Sequence, residues 1–246
     1  MFAFQDEYGP VEVAFTDRHG GVSGGPYASL DLGRGEPDDT AARENLQRVA
    51  GAFTGDAAAG LVAMHQVHGA DVHRVDGTTD RSPGAAAPPV ADGLLTTTPG
   101  VVLLVRVADC VPVLLADAEA GVVAAVHSGR PGLVAGVVPA AVEAMRTEGA
   151  RTIRAWVGPH VCGACYEVPE QMRADVASVV PVAEAETSWG TPALDIGAGV
   201  LDQLARAGVE VAHASPRCTV EDEDLYSYRR QGPASGRSGG LVRIRP

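Results

Sequence analysis

The stretch from residue 101 to residue 126 constrains the fold more than any other part of this chain. Two runs rich in valine and leucine, Val101–Val107 and Val111–Ala116, come first. The polar turn Asp117–Gly121 and a third apolar run, Val122–Val126, follow them. Runs of this length and composition are typical of buried strands. We therefore predict a buried sheet in which the second and third runs form a hairpin.

Other segments alternate between strand and helix patterns, and no repeat or composition break divides them. Apolar residues recur every three or four positions from Pro131 to Glu148, which predicts a helix with a proline in its first turn. Asp38 or Asp39 is the predicted N-cap of an earlier helix. The remaining predictions are helices over Thr40–Ala50, Glu167–Val179 and Ala198–Ala207, strands over Val11–Thr16 and Leu241–Ile244, and an exposed loop over Ser82–Val90. Together they favour one layered α/β or α+β domain spanning residues 1–246.

Charge and composition exclude several classes of function. The formal net charge of -12 argues against a nucleic acid or an anionic membrane as partner. All nineteen basic residues are arginine, which excludes a lysine Schiff base and a lysine-bearing P-loop. An anionic substrate would therefore have to be bound by arginines. The sequence shows neither a secretion signal nor an apolar stretch of membrane-spanning length, so we expect a cytoplasmic protein whose four cysteines are thiols or metal ligands.

A cysteine and two histidines form the leading candidate site. In the predicted hairpin Cys110 faces residue 128, and a change of register by one residue places it opposite His127. Directly opposed residues lie about 4.5–5.5 Å apart. His68, in the segment HQVHGADV, is a candidate third ligand. Two imidazoles and one thiolate with a fourth position open are the pattern of catalytic zinc, whereas the alternative is a buried apolar cysteine beside ordinary polar histidines.

Two further groups of residues are weaker candidates. Cys162 and Cys165 form a CxxC motif, but Cys218 is the only later cysteine, so a redox pair or structural thiols are favoured over a four-thiolate zinc site. Arg229, Arg230 and nearby Arg237 could clamp a phosphate or carboxylate; the alternative is that they are surface arginines paired with acidic neighbours. The backbone amides at the start of the predicted helix at Pro131 are a second candidate anion site.

Six segments carry a resemblance to a known family. They are FTDRHGGVSGGPYASLDLG at Phe15–Gly33, HQVHGADV at His65–Val72, ADGLLTTTPGVVLLVRVADCVPVLLAD at Ala91–Asp117, VHSGRPGLVAGV at Val126–Val137, GPHVCGACYEV at Gly158–Val168 and CTVEDEDLYSYRRQGPASGR at Cys218–Arg237. With these segments the chain resembles the laccase-domain, multicopper-oxidase-like family. Its members are also described as purine nucleoside phosphorylases, polyphenol oxidases and peptidoglycan-editing factors.

The resemblance implies a fold, a metal site and an activity. The implied fold is α+β, a layered α–β sandwich with mixed or antiparallel sheets similar to the catalytic domain of cytotoxic necrotizing factor. The implied metal ligands are His68, Cys110 and His127, with Zn²⁺ as the metal and Cu²⁺ as the alternative. The implied reactions are phosphorolysis of adenosine, inosine and methylthioadenosine, and deamination of adenosine, with nucleoside and phosphate as the small-molecule partners.

The sequence is also compatible with three other functions. One is copper-dependent oxidation of phenols, although seven histidines without an HxH pair do not suit a true multicopper centre. Another is a Cys–His hydrolase acting on cell-wall precursors, with Cys110 as nucleophile and His127 as base. The third is a metal-binding protein without catalytic activity.

The chain departs from the family pattern beside His127. Where the family usually reads AHAGWRG, this chain reads VHSGRPG, with Arg130 at the tryptophan position and Pro131 at the arginine position. If the family arginine contacts phosphate, that contact is moved or lost here. We therefore assign phosphate binding to Arg130, Arg229 and Arg230 as a hypothesis.

Overall fold

The computed structural model describes residues 1–33, 39–77 and 88–246, which contain thirteen strands and six α-helices. The strands are β1 (Phe2–Tyr8), β2 (Val11–Thr16), β3 (Leu61–Val62), β4 (Val72–Arg74), β5 (Gly93–Thr96), β6 (Val102–Val107), β7 (Val111–Asp117), β8 (Val122–Ser128), β9 (Arg154–Val157), β10 (Glu184–Glu186), β11 (Pro192–Leu194), β12 (Glu210–Ala214) and β13 (Ser238–Ile244). The helices are α1 (Thr40–Thr54), α2 (Arg130–Ala135), α3 (Val137–Thr147), α4 (Glu170–Ala177), α5 (Ile196–Arg206) and α6 (Tyr228–Gln231).

Two mixed sheets contain most of these strands. The first has the order β1-β2-β13-β6-β3 and is antiparallel except for the parallel pair β6 and β3. The second has the order β12-β9-β7-β8-β5-β4, with parallel pairs at its two edges and antiparallel pairs between them. Strands β10 and β11 form a separate antiparallel pair.

Three apolar clusters show how the sheets and helices are layered. One cluster lies between the sheets, where Phe15 and Leu103 of the first pack with Leu114 and Trp156 of the second. Another joins the outer face of the first sheet to α1, and the third joins the outer face of the second sheet to α3 and α5. The order helix, sheet, sheet, helices confirms the predicted α+β sandwich with mixed and antiparallel sheets.

The alternation of side chains along β7 and β8 explains why these strands read as continuous apolar runs. Val113 and Leu115 point to the helical layer, whereas Leu114 and Ala116 point to the other sheet. Both faces are therefore buried, and a polar residue on either face would lose its contact with water.

Most of the predicted elements are observed. Val11–Thr16 is a strand with the predicted bounds, and the other predicted strands differ at their ends by at most three residues. Asp39 caps α1, since its Oδ1 accepts a hydrogen bond from the Ala42 amide at 2.8 Å. The alternative cap Asp38 lies outside the described residues, as does most of the predicted loop Ser82–Val90.

Two helix predictions are corrected. The single helix expected from Pro131 to Glu148 is two helices, because Gly136 has a left-handed φ of 80° and ends α2 before α3 begins. The helix predicted over Glu167–Val179 is only Glu170–Ala177. Pro169 restricts the residue before it to extended conformations, so the helix cannot begin earlier.

The hairpin register is also corrected. Val111 pairs with Ser128 and Pro112 with His127, so each partner lies one residue further along the chain than predicted. Cys110 precedes β7 and is not part of the ladder. No helix among the described residues is long and apolar enough to cross a membrane.

Asp117, at the turn of this hairpin, stabilises the folded protein through hydrogen bonds to its carboxylate. Its buried carboxylate accepts hydrogen bonds from the amides of Glu119, Ala120, Arg151 and Thr152 at 2.6–3.1 Å. Burial alone would raise the pKa of Asp117, but these four donors outweigh it and lower the pKa. The stabilisation is therefore present above the unfolded-state pKa, near 3.9, and is lost as the pH falls through the lower folded-state pKa.

Asp117→Asn should lower the free energy of unfolding at pH 7 by roughly 2–5 kcal/mol, because the new NH₂ group cannot accept hydrogen bonds from the two backbone N–H groups that face it. Urea denaturation at pH 7 and at pH 3 measures the effect, which should shrink at the lower pH. The matched control is Glu119→Gln, an exposed side chain in the same turn. Equal stability of the two variants at pH 7 would contradict the assignment.

Candidate metal centre and cavity

His68, Cys110 and His127 lie together although they come from three separate segments. His68 is in the loop between β3 and β4, Cys110 lies between β6 and β7, and His127 is in β8. Cys110 Sγ is 3.7 Å from His68 Nε2, and one potential ligand atom from each residue lies within 4.8 Å of the others. The two imidazole rings meet edge to face, with centroids 4.8 Å apart.

A fully buried carboxylate, that of Asp92, holds both histidines. His127 Nδ1 lies 2.7 Å from Asp92 Oδ1, and the amides of Val67, His68 and Gly69 donate to the same carboxylate at 2.6–3.2 Å. Burial alone would raise the pKa of Asp92, but the hydrogen bond from His127 and those from the backbone lower it. Because an ionised carboxylate only accepts hydrogen bonds, Nδ1 of His127 carries a proton, and Nε2 is the atom that can bind a metal ion once it gives up its own proton.

Backbone conformation brings two of the candidate ligands to the site. His68 and Asp109 have positive φ angles of 62° and 86°, which is uncommon for residues other than glycine. The amide of His68 is held by Asp92, and the side chain of Asp109 accepts hydrogen bonds from the Thr219 hydroxyl at 2.6 Å and the Arg229 amide at 2.7 Å. The turn at Asp109 places Cys110 at the cluster without strand pairing.

The three side chains perturb one another electrostatically. Burial raises the pKa of the Cys110 thiol, but hydrogen bonding and attraction from His127 and His68 outweigh this and lower the pKa to about 6. Burial lowers the pKa of His127, whereas Asp92 and Cys110 stabilise its protonated form and raise the pKa to about 9. The two histidines therefore favour the thiolate form of Cys110, the form that binds metals and acts as a nucleophile.

Gly129 provides the space in which the cluster forms. A Cβ atom at this position would lie 2.5 Å from His68 Cδ2 and 3.1 Å from Cys110 Sγ. Gly129→Ala should therefore displace the His68 ring and lower metal affinity by about 10-fold or more, in the range seen for disturbed neighbours of metal ligands. Metal titration measures this effect. The control is Gly24→Ala, where an added Cβ meets no atom within 4 Å, and equal affinities would contradict the prediction.

A cavity of about 740 Å³ opens at the cluster. Four arginines line it, namely Arg106, Arg130, Arg229 and Arg237, together with aromatic and apolar side chains that include Tyr166, Tyr228, Met64 and Val161. Among the described residues that line it, Asp109 is the one acidic side chain, and both of its oxygens accept hydrogen bonds. Among the described residues that line the cavity, arginines therefore outnumber acidic side chains, in a chain whose net charge is -12.

The structure brings two of the three predicted anion-binding arginines to this cavity. Arg130 and Arg229 line it, and the Arg229 guanidinium stacks 4.6 Å from the centroid of the Tyr166 ring. Arg230 does not line it, because its guanidinium donates to the carbonyls of Thr219, Val220, Asp222 and Leu225. Arg230 is therefore not positioned to bind phosphate in this cavity. Helix α2 at Pro131 has only six residues, so we assign no anion site to its amides.

Several residues that build the site were not predicted from the sequence. Asp92 and Gly129 have no spacing signal that would connect them with the ligands. Arg106 could have been found, since it is a charged residue inside the apolar run Val101–Val107.

Comparison with known proteins identifies the family. The family model described as multi-copper polyphenol oxidoreductase laccase matches residues 12–245, and the chain belongs to this family. A Streptomyces griseus protein named purine nucleoside phosphorylase ORF3 is 54% identical over 237 residues, which are 95% of this chain and 94% of that protein. A Streptomyces coelicolor protein, also named purine nucleoside phosphorylase, is 51% identical over 244 residues, 98% of this chain and 99% of that protein.

Solved structures share the fold. YlmD from Geobacillus stearothermophilus superposes with a TM-score of 0.83 at 32% identity, covering 96% of this chain and 93% of that one. The hypothetical protein YfiH from Bacillus licheniformis gives a TM-score of 0.86 at 27% identity, with the same coverage. The family resemblance predicted from the sequence is thus confirmed.

Proposed function

We propose that this chain is a zinc-dependent purine nucleoside phosphorylase that uses the cavity at His68, Cys110 and His127. One observation carries the proposal: a cluster of metal-ligand type opens onto a cavity with four arginines in a lysine-free, acidic chain. The names of the Streptomyces relatives support the substrate class.

The donor set fits a zinc ion. Ligands bonded to zinc at about 2.0–2.3 Å in a tetrahedron lie roughly 3.5 Å from one another, close to the 3.7 Å between Cys110 Sγ and His68 Nε2. The hydrogen bond from His127 to Asp92 is the carboxylate–histidine arrangement that commonly orients a zinc ligand. A zinc ion held there would act as a Lewis acid that polarises a substrate oxygen.

Two kinds of side chain in the cavity suit the two substrates. Guanidinium groups of Arg130 and Arg229 would bind phosphate and hold it against the ribose. There a phosphate oxygen forms a bond to C1′ as the bond to the purine nitrogen breaks, and the proton of the phosphate is transferred to the departing purine. Tyr166 and Tyr228 supply aromatic surface of the kind on which a purine stacks. The products would be ribose 1-phosphate and the free base.

The direct test is release of hypoxanthine from inosine as a function of phosphate concentration. Phosphorolysis requires saturable dependence on phosphate and formation of ribose 1-phosphate in equal amount. Hypoxanthine released without phosphate would indicate hydrolysis instead, and ammonia released from adenosine would indicate deamination.

Arg229→Gln is expected to raise the half-saturating phosphate concentration about 10- to 100-fold, since a charge-assisted hydrogen bond contributes roughly 1.5–3 kcal/mol. Metal content should not change. Arg151→Gln is the control, because Arg151 is an exposed arginine that does not line the cavity. If both variants keep the phosphate dependence of the unaltered protein, Arg229 is not a phosphate contact.

A Cys–His hydrolase is the second candidate function. Such enzymes use a nucleophile, a base and a carboxylate that orients the base, and Cys110, His127 and Asp92 would take these three roles in turn. The two functions differ in their response to a thiol reagent. If the isolated protein contains no metal and Cys110 is alkylated rapidly, the hydrolase is favoured. If the isolated protein contains zinc that protects Cys110 from alkylation, the phosphorylase is favoured.

A copper-dependent phenol oxidase is the third candidate function, and it is tested by elemental analysis of the bound metal. Among the described residues, the His68 cluster is the only group of three or more potential metal ligands that contains histidine. It could hold one copper ion, which binds such donors more tightly than zinc does. Copper in protein purified without added metal, together with phenol oxidation, would support this alternative.

A further inference from the structure

A second cluster of metal-ligand type shares no residue with the first. It consists of Cys162, Cys165, Cys218 and Glu221, and one ligand atom from each lies within 4.8 Å of all the others. Cys218 is buried, Cys162 and Cys165 are half-buried, and none of the three thiols forms a disulfide. Three sulfurs and a carboxylate oxygen are four donors, the number in a closed tetrahedral site.

The first two sulfurs are presented by one tight turn. The amides of Cys165 and Tyr166 both donate to the carbonyl oxygen of Cys162 at 3.1 Å, which curls the CxxC segment so that its two side chains emerge on one side. The amide of Cys162 donates to Cys218 Sγ at 3.4 Å. This bond joins the CxxC turn directly to the third sulfur.

Backbone bonds hold the other two donors in place. Residues His160 and Cys218 form a parallel bridge, and the amide of Thr219 donates to the His160 carbonyl at 3.0 Å. The amide of Asp222 donates to the Cys218 carbonyl at 2.9 Å, closing a turn that contains Glu221. Glu221 Oε1 then lies 3.6 Å from Cys165 Sγ. The four donors are thus brought together by hydrogen bonds that do not depend on a metal.

The donor chemistry favours a metal over a disulfide. A disulfide would use two sulfurs and leave the third beside it unused, whereas one zinc-type ion would engage all three sulfurs and the carboxylate. Thiolates select soft or borderline ions such as zinc, and the carboxylate is also a zinc ligand.

We propose that Cys162, Cys165, Cys218 and Glu221 bind a second zinc-type ion, and that this ion is structural. Protein ligands fill all four positions, which is the pattern of structural rather than catalytic zinc. The ion would join the segment around residue 162 to the segment around residue 218. CxxC motifs are common in zinc sites, but here the third and fourth ligands come from a segment more than fifty residues away.

The site would stabilise one wall of the cavity. Tyr166 directly follows Cys165 and stacks on Arg229, and Thr219 directly follows Cys218 and donates to Asp109, the neighbour of Cys110. Loss of the ion should therefore loosen this wall and lower thermal stability. The cavity ligands His68, Cys110 and His127 belong to other segments, so metal at the first cluster should be retained.

Elemental analysis of protein purified without added metal tests the proposal. We expect one zinc ion fewer per chain in the double variant Cys162→Ser, Cys165→Ser than in the unaltered protein, and also one fewer in Cys110→Ala. A combined triple variant should hold none. Glu223→Gln is the control for Glu221→Gln, since Glu223 is an exposed neighbour outside the cluster. Only Glu221→Gln should release its ion faster to a chelator.

Native mass spectrometry of the unaltered protein covers the case in which the double variant does not fold. A mass excess of two zinc ions supports the proposal. The proposal is overturned if the protein holds a single zinc ion and that ion is lost in Cys110→Ala. It is also overturned if the mass is lower by two hydrogens and peptide mapping shows a disulfide between two of the three cysteines. Because the two clusters share no ligand, either site can fail without affecting the result for the other.

Discussion

Cys110→Ala should remove one metal ion per chain and reduce inosine phosphorolysis about 1000-fold or more. The cluster would keep only two imidazoles, and a Lewis acid contributes several kcal/mol of transition-state stabilisation, where each 1.4 kcal/mol is a factor of ten. Metal affinity should fall more than about 100-fold, since changes to groups that merely contact ligands already cost 10- to 100-fold. Elemental analysis and the phosphate-dependent assay measure the two effects.

The fold should survive this substitution, because Cys110 is half-buried and outside the strand ladder. Thermal unfolding close to that of the unaltered protein is the control. Unchanged metal content would reject Cys110 as a ligand. If the unaltered protein holds no metal at this cluster and Cys110→Ala still abolishes activity, Cys110 is favoured as the nucleophile of a hydrolase.

Asp92→Asn should both destabilise the protein and weaken its metal site. The amide NH₂ that replaces one carboxylate oxygen would face N–H donors, and the protonated His127 ring would lose its buried counter-charge. Breaking a buried ion pair by removing one partner typically costs about 3–5 kcal/mol. We expect a loss of that size in the free energy of unfolding, and a 10- to 100-fold loss of metal affinity.

Asp71→Asn is the matched control for Asp92→Asn. Asp71 lies in the same region of the chain, its side chain is exposed, and it supports Asp92 only through its backbone carbonyl, which the substitution leaves intact. Denaturant unfolding and zinc titration of both variants give the comparison. The proposed role of Asp92 is wrong if the two variants are equally stable and bind zinc equally well.

Segments with a clear residue pattern were predictable from the sequence. The runs Val101–Val107 and Val111–Ala116 are buried on both faces, and that burial excludes polar residues from every position in them except that of Arg106. Asp39 could be predicted as a helix cap because capping depends on hydrogen bonds within a few residues. The family segments likewise pointed to His68, Cys110 and His127 before their distances were known.

The predicted helix boundaries and hairpin register were wrong where a glycine or a turn overrode the apolar pattern. The apolar period from Pro131 to Glu148 continues through Gly136, but the left-handed conformation of this glycine breaks the helix. The length of the Asp117 turn changes the hairpin register by one residue, so the predicted pairing of Cys110 was wrong although its nearness to His127 was right. Cys110 reaches the cluster through the turn at Asp109, which no periodic pattern reveals.

By itself the sequence determined the strand-rich core, the family and the chemical types available for a site: imidazole, thiolate and arginine, without lysine. Only the tertiary structure decided which of them act together. Asp92 meets His127 from 35 residues away, Glu221 meets Cys165 from 56, and Arg229 faces the cavity while its neighbour Arg230 binds backbone carbonyls. The physical reason is that residue patterns record local preference and burial, whereas ligand clusters depend on how distant segments are packed against each other.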